Sequence, residues 1–160
     1  MKISDAFKRA EALLRELSLD EKMAQVGCIF PFNGGEHDFE AISRQTRWGI
    51  GQVSTLEMRR MKTLEEVAAW QRKVQRIVMD NSPHHIPAIF HMEGLCGPFI
   101  QDSASFPSGI ARGASFDVGL ERQIGRIVSR QEAACGITQV FAPVLDVARD
   151  PRMGRYAEPY

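Results

Sequence analysis

Three short apolar runs, separated by two long stretches of helical periodicity, limit what this chain can become. "GIGQVS" (49–54), "IPAIFHME" (86–93) and "ITQVFAPVLDV" (137–147) read as strands. Between the first two, Leu64, Val67, Ala68, Val74, Ile77 and Val78 recur at the spacing of one helix face. Between the second and third, Leu120, Ile124, Ile127, Val128 and Cys135 do the same. Parallel neighbours need a crossover between them, usually a helix. Two such crossovers in succession predict a parallel sheet of the α/β class.

Local signals set the boundaries. Ser18 and Glu21 have the spacing of a capping box, so a helix should start there and run to about Val26. Thr63 and Glu66 repeat the pattern ahead of the first crossover helix, and Pro83 closes that region. Asp117 should cap the second crossover helix and Gly136 should end it. Residues 4–16 carry Phe7, Ala10, Leu13 and Leu14, with Leu17 just beyond, as a helical stripe, whereas "CIFPFNGGEHDFEA" (28–41) reads as a loop. Three strands with two covering helices cannot close a barrel, and no helix is predicted after the last strand. The expectation is the N-terminal portion of a longer protein.

Composition removes several functions. Lys plus Arg and Asp plus Glu number 20 each, so no basic field attracts nucleic acid or anionic lipid. No apolar run approaches the ~18 residues of a membrane span. The N-terminus, "MKISDAFKRAEALLREL", lacks the apolar core of a secretory signal. The three cysteines, Cys28, Cys96 and Cys135, are odd in number and widely spaced. They argue against a disulfide framework or zinc cage and fit a reducing compartment, so a cytoplasmic location is expected.

The chemistry should sit just beyond the strands' carboxyl ends. The third strand, from Val140 to Leu145, runs as a buried apolar segment into Asp146, Arg149, Asp150, Arg152 and Arg155, more charge than a surface turn needs. Glu93, at the end of the second strand, and Arg155 form the best candidate pair. A carboxylate accepts hydrogen bonds from neighbouring hydroxyls, and a guanidinium donates to them from a rigid fork, which is how a polar site grips a sugar. The plainer alternative has Glu93 capping a turn and Arg155 pairing with Glu158 or Asp150. Asp146 and Asp150 read as loop braces. His84 and His85 are adjacent and point apart, so they do not share a metal. His91, Cys96, Trp48 and Trp70 read as structural.

The chain resembles the N-terminal domain of glycoside hydrolase family 3, the β-glucosidase and β-xylosidase family. The likeness runs through "LSLDEKMAQVG", "IPAIFHMEGLCG", "SFPSGIARGASFD" and "APVLDVARDPRMGRYAEPY". It implies the first strand–helix units of a (β/α)8 TIM-type barrel, incomplete over residues 1–160, with a second domain usually following. It implies retaining, exo-acting hydrolysis of terminal β-linked glucose or xylose, without metal or organic cofactor, by two carboxyl groups ~5 to 5.5 Å apart. By the family pattern both of those groups lie beyond Tyr160, so no catalytic residue is expected within this chain and the chain alone should be inactive. Glu93 falls where the family places an acidic residue that binds hydroxyls of the terminal sugar. Arg155, ending "DPRMGR", matches the family arginine that does the same. Cys96 stands where β-xylosidase-like members often have histidine, and Phe99 where some relatives have arginine. The rival expectation is a sugar-binding module without catalysis, or a degenerate barrel remnant. The partner expected in either case is a β-linked glycoside, with self-association through open sheet edges.

Overall fold

The computed structural model describes residues 2–31 and 38–159. Along the chain come α1 (Ile3–Glu16), α2 (Leu19–Gln25), β1 (Cys28–Ile29), α3 (Phe39–Gln45), β2 (Gln52–Ser54), α4 (Leu64–Asn81), β3 (Ile89–Glu93), α5 (Gly109–Gly113), α6 (Val118–Ala134) and β4 (Gln139–Phe141). Short 3₁₀ helices occupy Leu56–Arg60 and Pro151–Met153. The chain forms two compact units, Met1–Val53 with Val74–Ala88, and Ser54–Lys73 with Ile89–Tyr160.

In the first unit, β1 and β2 pair in parallel, with Cys28 opposite Gln52 and Ile29 opposite Val53. The start of the predicted 28–41 loop is therefore a strand. Two residues are too few to show a period, and Pro31 follows after Phe30 alone. The same prediction missed α3, although Asp38 caps it by accepting the Ala41 N–H at 2.8 Å; residues 32–37 lie outside the described residues. The Ser18–Glu21 box is complete, Ser18 Oγ accepting from Glu21 N–H while the Glu21 carboxylate accepts from Ser18 N–H at 2.9 Å. Val74 and Val78 of α4 and Ile42 of α3 form the core of this unit. Asn81 ties α3 to the end of α4, donating to Ser43 O at 2.9 Å and Thr46 Oγ1 at 3.1 Å. The stripe on α1 is buried only toward its end: within the helix no residue is buried and Phe7 is 73% exposed, whereas Leu13 is half-buried and Leu17, just beyond, is buried.

In the second unit, β3 and β4 pair in parallel, placing Glu93 opposite Phe141. Alternation on β3 buries Phe90 and Met92 on one face and leaves Ile89, His91 and Glu93 on the other. Trp70 from α4 meets Phe90 edge-on with ring centroids 6.4 Å apart, and Val67 lies fully buried on the same helix. On α6, Ile124 and Val128 are buried, as is Cys135 at its end. Leu120 and Ile127, expected on the same inner face, stay partly exposed. Gly136 ends the helix with φ +79, a conformation that calls for glycine, and a Cβ there would also push the Gln71 side-chain amide aside.

The third predicted strand is shorter and wetter than expected. Only Gln139–Phe141 pairs, and Phe141, Leu145 and Val147 are exposed. Among the described residues of this unit β4 has β3 on one side and no strand on the other, and Pro143 offers no N–H to continue a ladder.

Candidate sugar-binding site

The end of β3 is fixed from both sides. Thr55 donates its N–H at 3.0 Å and its hydroxyl at 2.6 Å to the His91 carbonyl. Thr138 donates its N–H at 2.9 Å to the Phe90 carbonyl. These bonds engage the Phe90 and His91 carbonyls, three and two residues before Glu93, so its side chain leaves from a rigid base. Gly97, at φ +106, then turns the chain where a Cβ would strike the Ala104 carbonyl. Phe106 N–H closes the loop on Cys96 O at 2.8 Å.

The charged loop after β4 is braced internally. Asp150 caps the short 3₁₀ helix and takes a fork of bonds from the Arg152 guanidinium, with Nε at 2.9 and 3.0 Å from the two carboxylate oxygens. This pairing holds the Asp150 carboxyl below its ordinary range. Gly154 follows at φ +75 and swings the chain to Arg155. Arg155 Nε lies 2.6 Å from Glu158 Oε1, the pairing that the plainer reading of the sequence anticipated. Its guanidinium is held more firmly protonated by Glu158 and, more weakly, by the charge of Glu93. Arg155 therefore senses both carboxylates, while the Glu93 carboxylate accepts no hydrogen bond from any described residue.

Glu93 and Arg155 line one polar cavity of about 550 Å³, together with Asp146, Met153 and Glu158. Among the described residues no three His, Cys, Asp or Glu side chains converge closely enough to hold a metal ion. The lining suits a ligand with separated hydroxyls: acceptors at the carboxylates, donors at the guanidinium.

The other sequence candidates separate from this cavity. His91 is buried beside it on β3, its ring 4.7 Å from that of Phe141, and burial pushes its pKa down. His84 belongs to the first unit, with Nε2 3.6 Å from Glu21 and Nδ1 3.9 Å from Glu16. His85 has φ 52, its Nδ1 2.9 Å from Met79 O. Trp70 is core, whereas Trp48 is 39% exposed. Asp146, expected to brace the loop, makes no hydrogen bond or ion pair with a described residue.

Sequence reasoning missed Glu132. It is only 1% exposed, both carboxyl oxygens lack a hydrogen-bond partner among the described residues, and burial pushes its pKa up to about 8. Its position was visible, since 124, 128 and 132 continue the inner stripe of α6 at four-residue steps.

The chain is a parallel α/β scaffold in which an acidic residue at the end of β3 and an arginine in the loop after β4 line one polar cavity. The sequence pattern of the glycosyl hydrolase family 3 N terminal domain matches residues 18–160, and the chain belongs to that family. It is 28% identical over 162 residues to a putative beta-xylosidase of Formosa agariphila, covering 96% of this chain and 21% of that protein. It is 30% identical over 146 residues to the periplasmic beta-glucosidase of Salmonella typhimurium, covering 91% of this chain and 17% of that one. The structure of a beta-glucosidase from Erythrobacter marinus superposes with a TM-score of 0.80 at 28% identity, covering 94% of this chain and 20% of that chain. The chain thus spans about a fifth of the length of these relatives.

Proposed function

We propose that this chain supplies the sugar-gripping part of a retaining, exo-acting β-glycosidase that acts on terminal β-linked glucose or xylose. One observation carries the reading: Glu93 and Arg155, distant in sequence, line the same cavity with opposite charge. Glu93 accepts from sugar hydroxyls and Arg155 donates to them. The family reaction needs a nucleophile and an acid/base, and we assign neither role to a residue of this chain, so the chain alone is expected to bind without turnover. The free cysteines fit a reducing compartment, and the proposed location is the cytoplasm, although the similar Salmonella typhimurium protein is named periplasmic.

The test is a titration of the chain, followed by NMR at millimolar concentration, with methyl β-glucoside and methyl β-xyloside, in parallel with aryl β-glycoside hydrolysis. Saturable binding lost in Glu93→Ala and Arg155→Ala, without hydrolysis, is the expected result. Binding indifferent to both substitutions defeats the sugar reading. Hydrolysis that vanishes on mutating Asp146 or Asp150 would defeat the inactive assignment.

A further inference from the structure

Three carboxylates and one guanidinium line the cavity: Glu93, Asp146 and Glu158 against Arg155. Glu158 is committed to Arg155, its oxygens within hydrogen-bond distance of the guanidinium. Elsewhere in the loop Asp150 is committed to Arg152. Asp146 is different. It is an exposed carboxylate at the cavity wall, without a hydrogen bond or ion pair to any described residue, and Arg149, three residues on, forms no ion pair with it. A loop brace has to hold something, so bracing does not explain it.

The lining therefore holds two open acceptors, Glu93 at the end of β3 and Asp146 in the loop after β4. Such a wall can take a cation or a molecule with several hydroxyls. A cation site needs ligands that converge on one point, and no three acidic, histidine or cysteine side chains among the described residues do so. Acceptors that share a wall without converging match hydroxyls spread around a ring.

We propose that Asp146 is a further sugar-contacting residue, accepting from hydroxyls other than those that Glu93 takes, so that the two carboxylates read different positions of the ring. This rests on the sugar reading of Glu93 and Arg155. It makes Asp146 a specificity determinant, since a sugar lacking the hydroxyl that it reads leaves the carboxylate without its partner.

The experiment compares wild type, Glu93→Gln and Asp146→Asn in binding to methyl β-glucoside and its monodeoxy series, with thermal melts of each. Asp146→Asn should weaken binding of the parent glucoside roughly tenfold while leaving the melt unmoved, since one charge-assisted bond is weakened and no internal contact is lost. One monodeoxy glucoside should silence Asp146→Asn, and a different one should silence Glu93→Gln. Wild-type affinity in Asp146→Asn, with Glu93→Gln impaired, overturns the assignment of Asp146 and leaves the sugar site standing. A lowered melt in Asp146→Asn restores the brace and also overturns it. No sugar binding by the wild type, or binding blind to both substitutions, overturns both readings. A response at Asp146 to magnesium or calcium chloride alone, with none to sugars, assigns the carboxylates to a cation and overturns both as well.

Discussion

The carboxyl of Glu132 stands directly behind Gly94, the residue that follows Glu93: a Cβ built on this glycine would lie 3.1 Å from Glu132 Oε1. An unpaired, buried carboxyl is thus built into the wall that supports the site. Burial favours its neutral form, and its pKa of about 8 makes it mostly protonated at pH 7.

Glu132 should make the chain less stable as pH rises. A carboxyl whose pKa is higher folded than unfolded binds more protons in the native state between its unfolded value, near 4.5, and about 8. Unfolding free energy therefore falls across that window and levels off above it, by an amount on the order of a few kcal/mol. His91 acts on the other limb: burial lowers its pKa, so protonation below about pH 6.5 favours the unfolded chain. Urea unfolding at pH 5, 6, 7 and 8 should show Glu132→Gln flattening the alkaline fall while leaving the acid limb. A wild-type profile that does not fall between pH 7 and 8 would contradict a neutral Glu132.

Gly94→Ala should disturb the same wall from the opposite side. The added Cβ would clash with Val140 Cγ1, a stiff branched side chain on β4, as well as crowding Glu132. Overpacking of this kind costs roughly 1–3 kcal/mol. Because Gly94 is bonded to Glu93, sugar affinity should fall together with the melting temperature. Gly125→Ala on α6 is the control: nothing lies within 4 Å of its Cβ position, and replacing a helical glycine should stabilise by up to about 1 kcal/mol.

The elements best read from sequence were those with a long period or a cap. The crossover helices, the Ser18–Glu21 box and β3 follow from side-chain spacing that one glance along the chain can test. The Thr63–Glu66 pair is only half a box: Thr63 Oγ1 accepts from Glu66 N–H, but the Glu66 carboxylate turns to the Lys62 N–H at 2.8 Å. Spacing finds such pairs but does not choose between neighbouring donors. β1 was invisible because its two residues become a strand only through pairing with β2. For the site, sequence placed Glu93 and Arg155 at strand ends, and could equally put Arg155 on Glu158; the structure contains that pair as well as the shared cavity. Glu132 escaped because an acidic residue is normally assigned to the solvent side of a helix, whatever stripe it falls on.

Glu158→Gln should cost little stability, because its partner Arg155 is 67% exposed and water screens the pair, although the Glu158 side chain itself is only 28% exposed. Its effect should fall on Arg155, which loses the carboxylate that orients it. If a sugar takes over part of that role, Glu158→Gln should weaken glycoside binding more than it lowers the melt. Titration and melting of the one variant separate the two effects, and an intact affinity would show that Arg155 needs no orienting partner.

The outer side of β4 and α6 should make the chain self-associate. Ile124, Val128, Val140 and Leu145 line a second, apolar cavity of about 390 Å³, and Leu145 is 79% exposed. β4 beside it pairs with β3 alone among the described residues of its unit, leaving unpaired N–H and C=O groups next to apolar surface. Sedimentation at micromolar concentration should therefore show oligomers. Leu145→Glu should shift the population toward monomer, since a carboxylate cannot enter an apolar contact without losing its hydration. The melt of dilute protein should barely change, because Leu145 buries little in the single chain. Added salt distinguishes the cause: association driven by apolar burial persists or strengthens at high ionic strength, whereas pairing of the loop charges would weaken. A wild-type chain that remains monomeric with a single cooperative melt would mean that this face is stable in water uncovered.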